Sequence, residues 1–192
     1  MTPANTEPRP RRRILRWLLR QLEHCLALIG LGTLVYFACF NLSRVVSASM
    51  APTLCGNNWQ SGDLVLTERV SYWFRPPRRW EVIAFRNQDG VQVMKRVIGL
   101  PGEQVQMRRG GQILIGGEPV ALPPALEFLK YFPFGNLFGD RRAACDDGYY
   151  VLGDFSRDSD DSRFNGPVRP DQLVGRAWLI LAPRGRRGFV NP

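Results

Sequence analysis

The sequence has little lysine and almost no histidine. Its 26 basic residues include only two lysines, Lys95 and Lys130, and its single histidine is His24. His24 stands just before a long apolar run. A Ser-His-Asp or Cys-His mechanism beyond that run is therefore closed to this chain alone. The scarcity of lysine puts a question to each one present. Arginine keeps its proton at any working pH, whereas a buried lysine can lose it. Cysteine is also sparse: the four residues form no CxxC or Cys/His spacing that would suggest zinc. Global disorder is excluded by a hydrophobic content of 44% with five tryptophans. A length of 192 residues holds one compact domain plus an anchor or tail.

What is present begins with charge. The net charge is +9, and Arg9, Arg11, Arg12, Arg13, Arg16 and Arg20 gather at the N-terminus. No aromatic interleaving or helical reader accompanies them, so nucleic acid is not expected as a partner. The cluster instead flanks Cys25 to Leu42, eighteen residues without a charge. As a helix this run spans roughly 27 Å, close to the hydrocarbon thickness of a bilayer. A cleaved signal peptide is the competing reading, with Val46-Ser47-Ala48 as a weak exit site. The run is long for that role. Only Arg44 follows it closely, so the arginine asymmetry keeps the N-terminus in the cytoplasm. The expected organisation is a cytoplasmic basic tail over 1–21, a transmembrane helix over 22–43 and an exported β domain over 44–192. Cys25 and Cys39 then fall in the span, while Cys55 and Cys145 lie in an oxidising compartment, where their pairing is left open.

Beyond the span the pattern changes to short alternating runs, and the class is mainly β. Strands are predicted at Asp63–Val70, Glu81–Phe85, Val91–Ile98, Gln104–Met107, Gln112–Ile115, Tyr149–Leu152 and Ala177–Leu181. Gly110-Gly111 and Gly116-Gly117 mark hairpin turns. Residues 121–147 are irregular and rich in aromatics. They fit either a mobile, membrane-touching loop or an insertion packed on the sheet.

Three segments carry chemistry. Lys95 lies in the apolar run Val91–Ile98, whose neighbours would strip water from its amine. A useful free-base fraction requires its pKa to fall by about 2–3 units, or about 3–4 kcal/mol of differential desolvation. Burial is able to supply that much. The alternative is a snorkelling surface lysine beside Arg96. Ser47-Ala48-Ser49-Met50-Ala51-Pro52-Thr53-Leu54 offers a hydroxyl among small residues, which let a substrate backbone approach. Its alternative is an ordinary loop leaving an anchor. Gly153 to Arg163 is dense in Asp, Ser and Arg, a composition for a turn network. Calcium binding there is opposed by Arg157 and Arg163.

In this order, and after an apolar span, these segments resemble the signal peptidase I family. Ser47–Leu54 looks like its SGSMxPTL box, and Gly62-Asp63 with the following strand looks like the next. Lys95–Glu103 (KRVIGLPGE) is very similar to the KRVIGLPGD box, and Gly153–Arg163 resembles the GDN…SxDSR box. Ala48, Val46, Phe155 and Glu103 depart from the usual Gly, Pro, Asn and Asp. The resemblance implies a mainly β signal peptidase-type catalytic domain with one N-terminal transmembrane helix and no metal or organic cofactor. It implies Ser49 as nucleophile and Lys95 as general base. Ser47 and the Ser49 amide would form the oxyanion hole, and Ser159 would hydrogen-bond the Lys95 amine. Asp154 would pair with Arg96, and Asp161 with Arg163. Val45, Met50, Leu54 and Met94 would line pockets for Ala-like side chains. The implied partners are preproteins with signal peptides and membrane lipid, and the implied state is a monomer in a bacterial inner membrane. The competing readings are a specialised conjugation-type or organellar inner-membrane peptidase and a non-catalytic, membrane-tethered β module.

Overall fold

The computed structural model describes residues 10–58 and 60–190. Residues 1–9 of the basic tail, Arg9 included, lie outside the described residues. The chain divides after Cys39 into two compact units. The first is a single helix, α1 (Pro10–Cys39). Its proline sits in the first turn, where a missing N–H costs nothing. Within it, the 27-residue stretch Arg13–Cys39 contains an 18-residue window of mean hydropathy 1.6, enough in length and apolarity to cross a membrane. Leu28, Leu34 and Phe37 leave their apolar side chains exposed.

The expected helix bounds of 22–43 need correction at both ends. The helix begins inside the basic tail and stops at Cys39, because Phe40–Arg44 forms strand β1. Phe40 to Arg44 pair antiparallel with Glu68 to Leu64. A ladder partner thereby satisfies the backbone groups that further helix would have satisfied internally.

The second unit continues with β2 (Leu64–Glu68), the short α2 (Ser71–Phe74), β3 (Val82–Arg86), β4 (Gln92–Gly99), β5 (Gln104–Met107), β6 (Ile113–Ile115), β7 (Glu118–Pro119), β8 (Arg142–Ala144), β9 (Tyr150–Leu152), α3 (Ser162–Asn165), β10 (Leu173–Ala182) and β11 (Gly188–Phe189). Every expected strand has a counterpart, most within a residue or two. β10 starts four residues earlier than expected. The strands form two antiparallel sheets. One runs β1-β2-β10-β3-β4-β9 with β11 beside β10, and the other runs β7-β6-β5-β8. The glycine pairs make the hairpins anticipated for them: Gly111 turns β5 into β6, and Gly116-Gly117, both at positive φ, turn β6 into β7.

Of the two readings of residues 121–147, packing on the sheet is the one realised. Leu126, Leu129, Tyr131 and Leu137 are buried against Ile98, Val105, Met107, Tyr150 and Leu152, which joins the small sheet to the end of the large one. A second core of Met50, Leu54, Val65, Val82, Ala177 and Ile180 underlies the loop after β1. Cys55 and Cys145 are both free thiols. Cys145 lies in the first of these cores, while the Cys55 thiol contacts the Pro52 carbonyl at 3.6 Å.

Gly99 ends β4 where the two sheets meet. A Cβ there would stand 2.5 Å from Val105 Cγ2 and 2.6 Å from Cys145 Sγ. Gly99→Ala is predicted to cost about 1–3 kcal/mol through overpacking. Urea unfolding of the variant checks this, and an unchanged midpoint contradicts it.

Candidate active site

The serine-bearing loop is held from beneath by backbone contacts. Val45 N donates to Asp63 O at 2.9 Å, and Leu54 N donates to Met50 O at 2.9 Å. Cys55 N donates to the Asp63 carboxylate at 2.8 Å, and Arg186 binds the same carboxylate at 2.9 Å. The Val45 carbonyl backs so closely onto Gly56 and Gly62 that a Cβ on either would strike it. That close approach is the physical reason for a glycine before Asp63. The loop also contains a cis Ala51–Pro52 bond.

Lys95 comes from β4, where it pairs with Ile83. Its side chain is only 4% exposed, and Nζ donates to Ser49 Oγ at 2.6 Å. Burial pushes the amine below the ordinary lysine pKa. Asp161, Asp160 and Asp154 pull it upward, and Arg163 reinforces the fall. Desolvation is the largest influence, so the neutral amine gains. Ser47 Oγ lies 3.2 Å from Ser49 Oγ. Among the described residues, the Ser49 N–H has no protein acceptor, which leaves it free to donate to an oxyanion.

Two buried ion pairs frame this contact. Arg96 follows Lys95 in the strand and grips Asp154 through Nε (2.8 Å) and Nη2 (2.7 Å), with both side chains fully buried. Its Nη1 donates to the Trp80 carbonyl at 2.6 Å, and Nη2 donates also to Thr53 Oγ1 at 3.2 Å. Trp80 adopts a φ of 73°, a conformation costly for a bulky side chain, and in it presents this carbonyl to Arg96. Arg163 makes the equivalent fork onto Asp161, both contacts at 2.8 Å. Asp161 also accepts from Gly153 N at 2.9 Å, and Phe155 N donates to Ser49 O at 3.0 Å. A Cβ on Gly153 would stand 2.5 Å from the Ser49 carbonyl. The Gly153–Arg163 loop thus lies directly against the serine.

Ser49 and Lys95 therefore meet, and both implied ion pairs form. Ser159 behaves differently. Its hydroxyl donates to Asp161 Oδ2 at 2.8 Å, and the expected hydrogen bond to Lys95 is not made. An ionised carboxylate two residues away is the stronger acceptor, and it turns the hydroxyl toward itself. Val45, Met50, Leu54 and Met94 all line one cleft of about 530 Å³ that contains Ser49 and Lys95. Sequence reasoning missed Thr53, Tyr131 and Ser156, which bind Arg96, Asp154 and Arg163 respectively. Thr53 and Tyr131 have partners far away in the chain, and Ser156 meets Arg163 of its own loop only through the way that loop folds.

A hydroxyl held on a buried amine, with a free N–H beside it and a cleft in front, is equipment suited to a serine peptidase that uses lysine in place of histidine. The chain belongs to the signal peptidase family, peptidase S26, whose sequence model matches residues 16–182. It is 35% identical over 157 residues to signal peptidase I of Leptolyngbya laminosa, covering 77% of this chain and 71% of that protein. It is 33% identical over 175 residues to the probable signal peptidase I-2 of Synechocystis, covering 85% and 71%. It is also 33% identical over 141 residues to signal peptidase I V of Bacillus subtilis, covering 69% and 80%.

Removing one partner of a buried fork leaves the other charge stranded. Asp154→Ala is predicted to destabilise the fold by about 3–5 kcal/mol, and replacing Arg96 by Met in the same chain should recover much of that loss. Denaturant titration of the single and double variants checks both statements. A loss below about 1 kcal/mol would contradict the first.

Proposed function

We propose that this signal peptidase I cleaves signal peptides from exported preproteins with Ser49 as nucleophile and Lys95 as general base. The single observation that carries the assignment is the 2.6 Å contact between a buried lysine amine and a serine hydroxyl in a cleft that Val45, Met50, Leu54 and Met94 help to line. Neutral Lys95 takes the Ser49 proton as Oγ attacks the carbonyl before the scissile bond. The oxyanion is received by the Ser49 N–H and the Ser47 hydroxyl. Collapse expels the new N-terminal amine, which takes the proton from Lys95. Lys95 then draws a proton from water as that water attacks the acyl-enzyme carbonyl, and returns it to Ser49 Oγ as the acyl C–Oγ bond breaks.

Strand β4 also offers a place for the substrate backbone. β9 pairs with β4 only from Arg96 onward, so Gln92–Met94 keep one edge free beside the cleft. An extended peptide has the geometry to add there as a strand, its small side chains entering among Val45, Met50, Leu54 and Met94. Arginine asymmetry about α1 supports a cytoplasmic N-terminus, with the β unit on the outer face of a bacterial inner membrane. Anchoring enzyme and preprotein in one bilayer raises their effective concentration. Nucleophile and base lie on one chain, so a monomer suffices.

The direct test incubates the detergent-solubilised chain with a preprotein bearing Ala one and three residues before the cut. Mature product of the expected mass should appear. Ser49→Ala and Lys95→Arg should each reduce it by on the order of 10⁴-fold or more while the fold is retained. Product formation by Ser49→Ala would overturn the assignment, and a silent wild type would favour the non-catalytic module.

The lowered pKa of Lys95 has two signed consequences. Since the base acts unprotonated, kcat/KM should rise with pH along a limb that lies below the ordinary lysine range. The unfolded chain holds this proton to higher pH than the native state does, so stability should also rise with pH between the two values. Lys95→Met should abolish that slope. An equal slope in the variant would mean that the amine keeps its proton in the fold.

A further inference from the structure

The segment Tyr131–Asn136 belongs to the part of the chain least like the family boxes, yet it fastens onto both ion pairs beside the Ser49–Lys95 contact. Tyr131 is 3% exposed, and its hydroxyl donates to Asp154 Oδ1 at 3.2 Å, the oxygen that also accepts from Arg96 Nε. Phe132 binds through its backbone in both directions. Its N–H donates to Ser156 Oγ at 3.0 Å, and its carbonyl accepts from Arg163 Nη1 at 3.0 Å. The Arg157 guanidinium lies 4.7 Å above the Phe132 ring. Gly135, at a φ of 58°, packs so closely on the Arg163 carbonyl that no Cβ would fit. Asn136 donates to the Ser162 carbonyl at 3.0 Å and accepts from the Tyr150 hydroxyl.

From these contacts we infer that Tyr131 is a positioning residue for the Ser49–Lys95 pair, and that Tyr131–Asn136 is the clasp through which the small-sheet region sets the geometry of that pair. The inference rests on the reading of Ser49 and Lys95 as nucleophile and base. Two short routes connect the clasp to the reacting atoms. Asp154 holds Arg96, the residue after Lys95 in β4. Asp154 also stands between Gly153, pressed against the Ser49 carbonyl, and Phe155, whose N–H binds that same carbonyl. Loss of the phenol hydroxyl leaves buried Asp154 Oδ1 one donor short. The carboxylate then seeks another donor, and the loop that holds Ser49 shifts with it. Because its negative charge is less dispersed, Asp154 also attracts the Lys95 ammonium more strongly, so the amine keeps its proton to higher pH. Tyr131 is suited to constant donation: burial and the neighbouring Asp154 push its phenol well above its ordinary pKa.

The test compares wild type with Tyr131→Phe, Ser156→Ala and Phe128→Ala in the full detergent-solubilised chain, measuring kcat, KM and the pH profile with one preprotein substrate. Phe128 is on the exposed side of the same loop and touches neither ion pair. Tyr131→Phe should lower kcat about tenfold, change KM less than twofold and move the ascending pH limb upward. Ser156→Ala should act in the same direction, and Phe128→Ala should leave all three unchanged. If Tyr131→Phe does not fold, the Ser156→Ala profile alone decides the matter. Wild-type kcat with an unmoved limb in the folded variants overturns the clasp, as does an equal effect from Phe128→Ala. Activity in Ser49→Ala, run alongside, would instead indicate failure of the underlying assignment.

Discussion

One constraint dominates the structure: a buried lysine amine, whose burial favours its neutral form, stands among carboxylates. Three acidic groups, Asp161, Asp160 and Asp154, pull the Lys95 amine toward its charged form. Left unpaired, they would favour its charged form more strongly. Asp154 and Asp161 are instead each forked by an arginine with no exposure to solvent, and Asp160 is engaged by Asn165 at 2.6 Å. Each buried fork is close to neutral seen from outside, so desolvation is left as the largest influence on the amine. Buried ion pairs add little net stability. Their effect here is to bring rigid, hydrogen-bonded carboxylates close to the Lys95 amine while its pKa stays below the ordinary lysine value.

The same pairs carry the geometry. Arg96 is one residue from Lys95, and Gly153–Phe155 lie against the Ser49 carbonyl. Asp154 therefore links the segments that carry Ser49 and Lys95, although the two residues stand 46 apart in sequence. Glycines at 62 and 153 allow backbone to approach backbone at the points where a side chain would hold the loops apart. The small sheet adds the last fixed surface by burying Tyr131 and Leu137 against the end of β4 and β9. Its contribution is support at the rear of the site, while the cleft itself opens among Val45, Met50, Leu54 and Met94.

Much of this was legible in the chain itself. Period-two alternation located the strands, since a half-buried strand must place apolar residues on one face. Glycine pairs located the hairpins, because only glycine enters those turns without strain. The lack of histidine beyond the apolar run closed histidine chemistry there and drew attention to Lys95 in its apolar strand, while its expected role as base came from the family resemblance. The ion-pair partners came from resemblance to a family and not from spacing. The end of the helix was misjudged because Phe40-Asn41-Leu42 is as apolar as a membrane segment, and only its pairing with Glu68–Leu66 makes it a strand. Ser159 was misjudged for a similar reason, since a hydroxyl turns to its strongest nearby acceptor.

What the sequence determined by itself was therefore local: where strands and turns fall, where an apolar helix runs, and which side chains are chemically able to act. These follow from periodicity, backbone preference and side-chain chemistry, all of which operate over a few residues. Tertiary structure alone decided which carboxylate oxygen each donor reaches, how dry the Lys95 amine is, and that an aromatic stretch at 131–136 fastens onto the loop beside Ser49. Those are properties of distance and burial between segments far apart in the chain, and they come into being only when the two sheets close on one another.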